Sequence, residues 1–148
     1  MTPELKSKIR NWAIFAVIIA AVYFINVEVQ TRLGEKTLEA TGLESVALDE
    51  AFEIAAREDK LVLADMSAIW CPTCRRLDRL VFSDKGVQDA IDDRYVFSRI
   101  EYESAAGEAF MERYKVYGYP TLLVLNADGS LVRRLPLTFD PQAFVSIL

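Results

Sequence analysis

The sequence predicts an α/β fold, a central mixed sheet flanked by helices, preceded by an N-terminal transmembrane helix. Helical and strand patterns alternate over residues 47–148 and include a hairpin near the end. The only two cysteines form a C-x-x-C motif where a strand pattern gives way to a helical one. We therefore expect a basic cytoplasmic end and membrane helix at 1–29, a linker at 30–46 and the α/β domain at 47–148.

Residues 11–27 carry no charge and predict the transmembrane helix. The run is apolar on all sides, unlike an amphipathic surface helix, and its length is at the lower limit for crossing a bilayer. A cleaved signal peptide is the alternative, but no small-x-small cleavage site follows the run, so an uncleaved signal anchor is favoured. Basic residues precede the run and Glu28 follows it, which places the N-terminus in the cytoplasm and the domain outside it.

Apolar spacing and capping residues predict the elements of the domain in order. Apolar residues at helical spacing from Leu48 mark a helix that ends near Lys60. Ser83 is expected to cap the helix that begins there, and Asp140 followed by Pro141 to open the last helix. The predicted order is helix 48–60, strand 61–66, helix 75–82, helix 83–91, strand 95–102, helix 105–114, strands 121–125 and 130–135, and helix 141–148.

The composition excludes several classes of function. A net charge of -5 argues against nucleic acid as a partner. The chain has no histidine, which removes histidine-based catalysis and histidine-containing metal sites. Two cysteines cannot complete a structural zinc site in one chain, and Arg75 stands where a c-type haem attachment motif needs histidine. We expect no metal and no bound cofactor.

The spacing of Cys71 and Cys74 predicts a reversible dithiol/disulfide couple. Cys71 falls at the N-terminus of the predicted helix, where the helix dipole favours a thiolate, and it is expected to be the more exposed, nucleophilic cysteine. Cys74 lies one turn later on the same face, within reach of a disulfide, and is expected to resolve the mixed disulfide. A static bridge is the alternative, although so short a loop contributes little chain-entropy stabilisation.

Two motifs together resemble the thioredoxin fold. They are Trp70-Cys71-Pro72-Thr73-Cys74, between a strand and a helix, and Gly118-Tyr119-Pro120-Thr121, before an apolar strand. Within that superfamily, residues 81–88 and 138–144 resemble the C-terminal domain of the thiol:disulfide interchange protein DsbD. The pair between the cysteines differs from the Gly-Pro of thioredoxin, and one candidate span contrasts with the several spans of DsbD.

The resemblance implies a thiol–disulfide oxidoreductase of the protein-disulfide reductase type. Its expected partners are protein disulfides or dithiols, including apocytochrome thiols in cytochrome c biogenesis, and a membrane electron donor of the DsbD or CcdA type. Its expected location is the bacterial inner membrane, with a single pass and the domain in the periplasm. Two alternatives stay open: an oxidase or isomerase of envelope proteins, and a non-catalytic docking module with a static disulfide.

The resemblance also assigns roles to two acidic residues. It places Asp65 as a buried acid beneath the cysteines, where burial should raise its pKa and let it carry a proton for Cys74. The alternative is a solvent-facing residue of an edge strand. Asp78 matches an acidic position that tunes thiol pKa; the alternative is an ordinary solvated charge. An ionised acid near the sulfurs would raise thiol pKa and slow attack until a partner docks.

Pro120 completes the expected catalytic residues, and the remaining site residues are expected to form the docking surface. Pro120 is assigned to a cis-proline loop facing the cysteines, with the backbone of Tyr119 free to pair with an extended partner; a routine strand-entry proline is the alternative. Trp70 supplies apolar surface beside the cysteines, together with Pro72 and Thr73. Other residues near the motif receive simpler expectations: a solvated face for Arg75 and Arg76, the docking surface for Tyr117, and core packing for Tyr114.

Overall fold

The first element of the structure is a long N-terminal helix, α1, at Pro3–Glu39. This computed structural model describes the backbone of residues 3–148 and the side chains of residues 8–148 apart from 35 and 38, so the start of the predicted cytoplasmic end lies outside the described residues. Residues 30–39, predicted as linker, instead continue α1. An ion pair at 2.8 Å between Glu28 and Arg32, one turn apart, links this part of the helix to the turn before it.

Within the described residues, one helix is long and apolar enough to cross a membrane. It is the stretch Lys8–Gly34 of α1, whose most apolar 18-residue window has a mean hydropathy of 2.1 and no residue buried in the protein. An apolar helix whose side chains are not buried in the protein is what a lipid-facing span requires. Membrane anchoring through 11–27 stays a prediction that this helix fits.

The domain that follows α1 is built on a four-stranded mixed sheet in the order β2-β1-β3-β4. The central strand β1 pairs in parallel with β2 and antiparallel with β3, and β3 pairs antiparallel with β4. The α/β prediction with a mixed sheet and a terminal hairpin is therefore confirmed. The bounds are α2 Leu48–Glu58, β1 Leu61–Ser67, α3 Pro72–Leu77, a π-helical turn Asp78–Phe82, α4 Lys85–Arg94, β2 Tyr95–Glu101, α5 Ala105–Tyr114, β3 Thr121–Leu125, β4 Leu131–Leu135 and α6 Pro141–Ile147.

The sheet separates two apolar cores. On one face, buried side chains of α4 and α6 pack with those of the π-helical turn around Leu63 and Val124. On the other face, α2 and α5 pack around Val62 and Leu123. Successive residues of a strand point to opposite faces, and both faces of the sheet are covered, so β3 is apolar except for Thr121 and β1 is apolar except for Asp65 and Ser67.

The helix caps confirm one sequence prediction and correct another. The Asp140 side chain accepts a hydrogen bond from the Ala143 amide at 2.8 Å, with Pro141 at the first helical position, as predicted. Ser83 is not the cap of α4. Its hydroxyl donates to the Arg79 carbonyl of the preceding turn, and the neighbouring Asp84 caps the helix instead.

Candidate functional site

The two cysteines lie at the start of α3, just after the loop that follows β1. Cys71 is the N-cap residue of α3, and Pro72 follows at the first helical position, where a missing N–H leaves nothing unpaired. The Cys74 amide donates a hydrogen bond to the Cys71 sulfur at 3.1 Å. Cys71 therefore caps α3 through its side chain, and its sulfur lies at the N-terminus of that helix, as the sequence predicts.

The expectation of an exposed nucleophile is wrong for this conformation. Cys71 is 4% exposed and Cys74 is 3% exposed, so both are buried. The rings of Trp70, Tyr102 and Tyr119 pack against the buried cluster of Ala68, Cys71 and Cys74, and we call these three rings the aromatic cover. Because Cys71 is buried, we expect a partner sulfur to reach it only after the site opens.

Cys74 is held in its protonated form. Burial, followed by a hydrogen bond with Cys71, raises the pKa of the Cys74 thiol to about 12, although hydrogen bonds with the Ser67 side chain and the Ala68 backbone oppose the rise. At pH 7 a thiol with that pKa is ionised in about one molecule in 10⁵. Attack by Cys74 thus requires a group that takes its proton.

Asp65 is buried in the centre of the sheet, as the resemblance implied, and the edge-strand alternative is wrong. None of its surface is exposed, and burial raises the pKa of its carboxyl despite the nearby Arg99 guanidinium. Arg99 donates to Oδ2 through Nε at 2.9 Å, while Oδ1 has no hydrogen-bond partner among the described residues. This second oxygen is available to hold a proton.

Asp78 is also buried, so it is not an ordinary solvated helix charge. It opens the π-helical turn and is 2% exposed. Arg99 Nη1 donates to Asp78 Oδ2 at 3.2 Å, and Nη2 contacts the other carboxylate oxygen. One guanidinium therefore joins Asp65 and Asp78, and a cluster of two acids with one cation lies beneath the cysteines.

Sequence reasoning missed three polar residues of this site. Arg99 lies opposite Asp65 in the parallel register of β1 and β2, and the charges within two largely apolar strands, Asp65 in β1 and Arg99 with Glu101 in β2, were the available signal. Glu101 accepts from the Ile69 amide through both oxygens, at 3.1 and 3.2 Å, and burial raises the pKa of its carboxyl. Ser67 is 3% exposed and hydrogen-bonds with Cys74.

A cavity of about 230 Å³ lies beside Cys74. Its polar lining residues include Ser67, Asp78, Arg99 and Glu101. A cavity of this size with several polar partners has room for water molecules that relay protons. Among the described side chains, no cluster of three or more Cys, Asp or Glu is placed to hold a metal ion.

The predicted docking residues surround the cysteines. The Tyr119–Pro120 peptide bond is cis, and Tyr119 packs edge-to-face on Trp70 with ring centroids 5.5 Å apart. Pro72 and Thr73 are exposed beside them. The docking roles of these residues stay predictions.

The other aromatic and basic residues near the motif differ in surroundings. Tyr117 is 87% exposed, whereas Tyr114 is buried and donates to the Gly129 carbonyl at 2.8 Å, so core packing is correct for Tyr114. Arg76 is exposed, as predicted, and lies over the Phe139 ring. Arg75 is only part-exposed: it donates to the Trp70 carbonyl at 3.1 Å and to Gln30 of α1, so the solvated-face prediction is wrong for it.

Comparison with known proteins agrees with this geometry. The model of a family described as thioredoxin-like matches residues 43–127. The thiol:disulfide interchange protein DsbD of Pseudomonas fluorescens is 33% identical over 101 residues, which cover 66% of this chain and 17% of the relative. This chain therefore spans about a sixth of the length of that curated relative.

Two solved structures resemble the domain. A thioredoxin from Thermus thermophilus is 27% identical with a TM-score of 0.60, covering 68% of this chain and 79% of its own. The C-terminal domain of Neisseria meningitidis DsbD, in its oxidised form, is 24% identical with a TM-score of 0.57, covering 70% of this chain and 95% of its own. The second likeness bears on the fold alone.

Proposed function

Because the chain belongs to the thioredoxin-like family, we propose that it is a membrane-anchored, extracytoplasmic protein-disulfide reductase. The match to the family model and the similarity to DsbD identify the chain as a thioredoxin-like disulfide oxidoreductase related to DsbD. The observation that carries the finer proposal is the pairing of a hydrogen-bonded Cys71 sulfur with a protonated Cys74 above a buried acid. The proposed location is the bacterial inner membrane, with one pass through 11–27 and the domain in the periplasm.

The proposed reaction has two exchange steps. The Cys71 thiolate attacks one sulfur of a partner disulfide, the partner S–S bond breaks, and the leaving sulfur takes a proton. Cys74 then attacks the Cys71 sulfur of the mixed disulfide, which releases the second partner sulfur as a thiol and forms the Cys71–Cys74 disulfide. Two electrons and two protons pass from the enzyme dithiol to the partner, and no bound cofactor takes part.

We propose that Asp65 accepts the proton that Cys74 loses in the second step. Asp65 and Ser67 lie two residues apart on β1 and therefore on the same face of the sheet. Cys74 hydrogen-bonds with Ser67, and the free Oδ1 of Asp65 is the acceptor. Ionised Asp65 binds this proton readily because its pKa is raised.

A membrane donor of dithiol electrons, of the DsbD or CcdA type, is the proposed source that regenerates the enzyme. Its proposed acceptors are protein disulfides of the envelope, including those of apocytochromes. Asp65 and Asp78, beside the cysteines, support the reductase direction. An ionised acid near a thiol disfavours its thiolate, so the thiol attacks disulfides slowly until a partner docks.

An insulin-reduction assay on the full chain tests the activity. We expect turnover by wild type and none by Cys71→Ser, and Cys74→Ser should accumulate a mixed disulfide that identifies the partner. A reduction potential of the pair near about -270 mV fits a reductase, whereas about -120 mV would instead make the protein an oxidant.

The burial of both cysteines favours a second candidate, the non-catalytic docking module. In that case the aromatic cover never opens and the pair takes no part in exchange. Equal insulin reduction by wild type and Cys71→Ser would establish this candidate and overturn the reductase.

A further inference from the structure

The C-terminal part of α1 packs against the end of the domain that carries the cysteines. Gly34 of α1 is buried against the Ile69 carbonyl. A Cβ atom at residue 34 would lie 1.9 Å from that oxygen, so the contact requires glycine. Because Ile69 is two residues before Cys71, the helix is seated directly beside the reactive pair.

Hydrogen bonds hold the same contact between α1 and the domain. The Arg75 guanidinium donates to the Gln30 side-chain oxygen at 2.5 Å and to the Gln30 carbonyl at 3.4 Å. The same guanidinium donates to the Trp70 carbonyl at 3.1 Å. Arg75 thereby links α1 to the residue that precedes Cys71.

This contact between α1 and the domain lies close to the end of the charge-free run, residues 11–27. Gln30 and Gly34 follow Val27 by three and seven residues, which is about 5 and 10 Å along a helix. The helix continues to Glu39, about 18 Å beyond Val27. The domain therefore folds back along α1, and its cysteine-bearing end points toward the run that would occupy the bilayer.

A groove of about 370 Å³ separates α1 from the rim of the site. Tyr23, Asn26 and Val27 line one wall. Trp70, Pro72 and Glu103 line the other, and the Trp70 indole donates to the Glu103 carboxylate at 3.2 Å. Tyr23 belongs to the charge-free run, so one wall of the groove lies at the proposed bilayer surface. Tryptophan and tyrosine are enriched at the membrane–water interface, which agrees with Trp70 and Tyr23 in this groove.

We propose that α1 holds the dithiol site at the bilayer surface and that the groove receives a cysteine-bearing loop of an integral membrane protein. The inference rests on the proposed function and locates the contact with the electron donor. A partner thiolate attacks Cys71 of the enzyme disulfide, the Cys71–Cys74 bond breaks, and Cys74 takes a proton. The second partner thiolate then attacks the partner sulfur of the mixed disulfide, the bond from that sulfur to Cys71 breaks, and Cys71 takes a proton. The partner is left oxidised and the enzyme reduced, with two electrons and two protons transferred.

The depth of Trp70 relative to the bilayer surface is measured by fluorescence quenching. The chain has two tryptophans, so Trp12→Phe leaves Trp70 as the single fluorophore. We expect phosphatidylcholine vesicles with a nitroxide on the head group to quench Trp70 of the reduced full chain, relative to unlabelled vesicles. Gly34→Leu should reduce this quenching, because its side chain displaces α1 from Ile69. Equal Trp70 emission in both kinds of vesicle would overturn the proposal.

The partner class is tested with a dithiol peptide attached to lipid in the same vesicles. One version joins the peptide directly to the lipid, and the other inserts 15 prolines, which extend about 45 Å. We expect the direct version to reduce the enzyme disulfide faster by about fivefold or more, because only its thiols lie at the height of the groove. An equal or faster rate with the long spacer would overturn the proposal.

Control variants separate the contact between α1 and the domain from the thiol–disulfide exchange at the cysteines. Leu33 is 48% exposed on α1, so Leu33→Ala should keep the spacer preference, whereas Gly34→Leu and the milder Gln30→Ala should lose it. Thermal unfolding shows that each variant is folded. Failure of the reductase would appear in the insulin assay, while failure of this inference would appear only in the quenching and the spacer preference.

Discussion

Arg99 sets the electrostatics of the site, since its guanidinium contacts both buried carboxylates. Its side chain is 10% exposed, against 1% for Asp65 and 3% for Asp78. Charges this far from water persist only when they are paired and hydrogen-bonded. The sequence could not show this cluster, because the parallel register that brings Arg99 opposite Asp65 is a property of the folded sheet.

Arg99→Leu should lower the free energy of unfolding by about 3–5 kcal/mol at pH 7, because it leaves two buried carboxylates without a counter-charge. Urea unfolding measures the loss. The matched control places Arg99→Leu in an Asp65→Asn, Asp78→Asn background, where the loss should be much smaller. An equal loss in both backgrounds would mean that Arg99 acts through packing alone.

Asp65→Asn should change how stability depends on pH. The pKa of Asp65 is raised from 3.8, so between 3.8 and its native value the folded state holds a proton that the unfolded state has lost. Stability from this group is fully present below 3.8 and is lost as pH rises through the native value, with a slope of up to about 1.4 kcal/mol per pH unit.

The variant lacks this titration, so its unfolding free energy relative to wild type should rise with pH over that window. Urea unfolding from pH 3.5 to 8 measures the difference. A difference that is constant with pH, or that falls, would show that Asp65 does not titrate with a raised pKa.

Tyr119→Ala should speed alkylation of Cys71 by iodoacetamide several-fold, because Tyr119 packs against the cysteine pair and holds Trp70 over it. Mass spectrometry of a Cys74→Ser background assigns the modified cysteine. Tyr117→Ala is the control, since Tyr117 is 87% exposed on the same loop and should leave the rate unchanged. Equal rates in both variants would show that this ring does not cover the sulfur.

At the scale of elements, apolar periodicity predicted the strands closely. β3 is observed at the predicted residues, and β1 is one residue longer than predicted. Two features escaped this reasoning. The π-helical turn depends on a local shift in hydrogen bonding that no residue pattern marks. Residues 30–39 continue α1 although charges and Gly34 interrupt the apolar pattern.

The cap of α4 offers a test at this scale. Asp84→Ala should cost about 1 kcal/mol, because the Asp84 carboxylate accepts from the Val87 amide at 3.1 Å. Ser83→Ala should cost less, since its hydroxyl bonds to the previous turn and not to α4. Thermal unfolding of the two variants compares the costs, and a larger cost at residue 83 would restore the original cap assignment.

At the scale of the molecule, the described side chains of both apolar cores lie outside α1. They begin at Leu43 on one face of the sheet and at Val46 on the other. A domain with its own core can in principle fold alone. We therefore expect the sheet to fold without α1.

A chain that begins at residue 41 should therefore fold and unfold in one cooperative transition. Its Cys74 should exchange or alkylate faster than in the full chain, because Gly34 forms part of the wall of the cavity that Cys74 lines. Urea unfolding and alkylation kinetics measure the two effects. A shortened chain without a cooperative transition would show that α1 contributes to the core.

The contact of Gly34 with the Ile69 carbonyl also bears on how Cys71 encounters a partner. If α1 anchors the chain in a membrane as proposed, this contact confines the site to the membrane surface, and encounters depend on the number of molecules per unit of membrane area. Enlarging the membrane area should then slow the exchange, whereas diluting the surrounding solution should leave it unchanged.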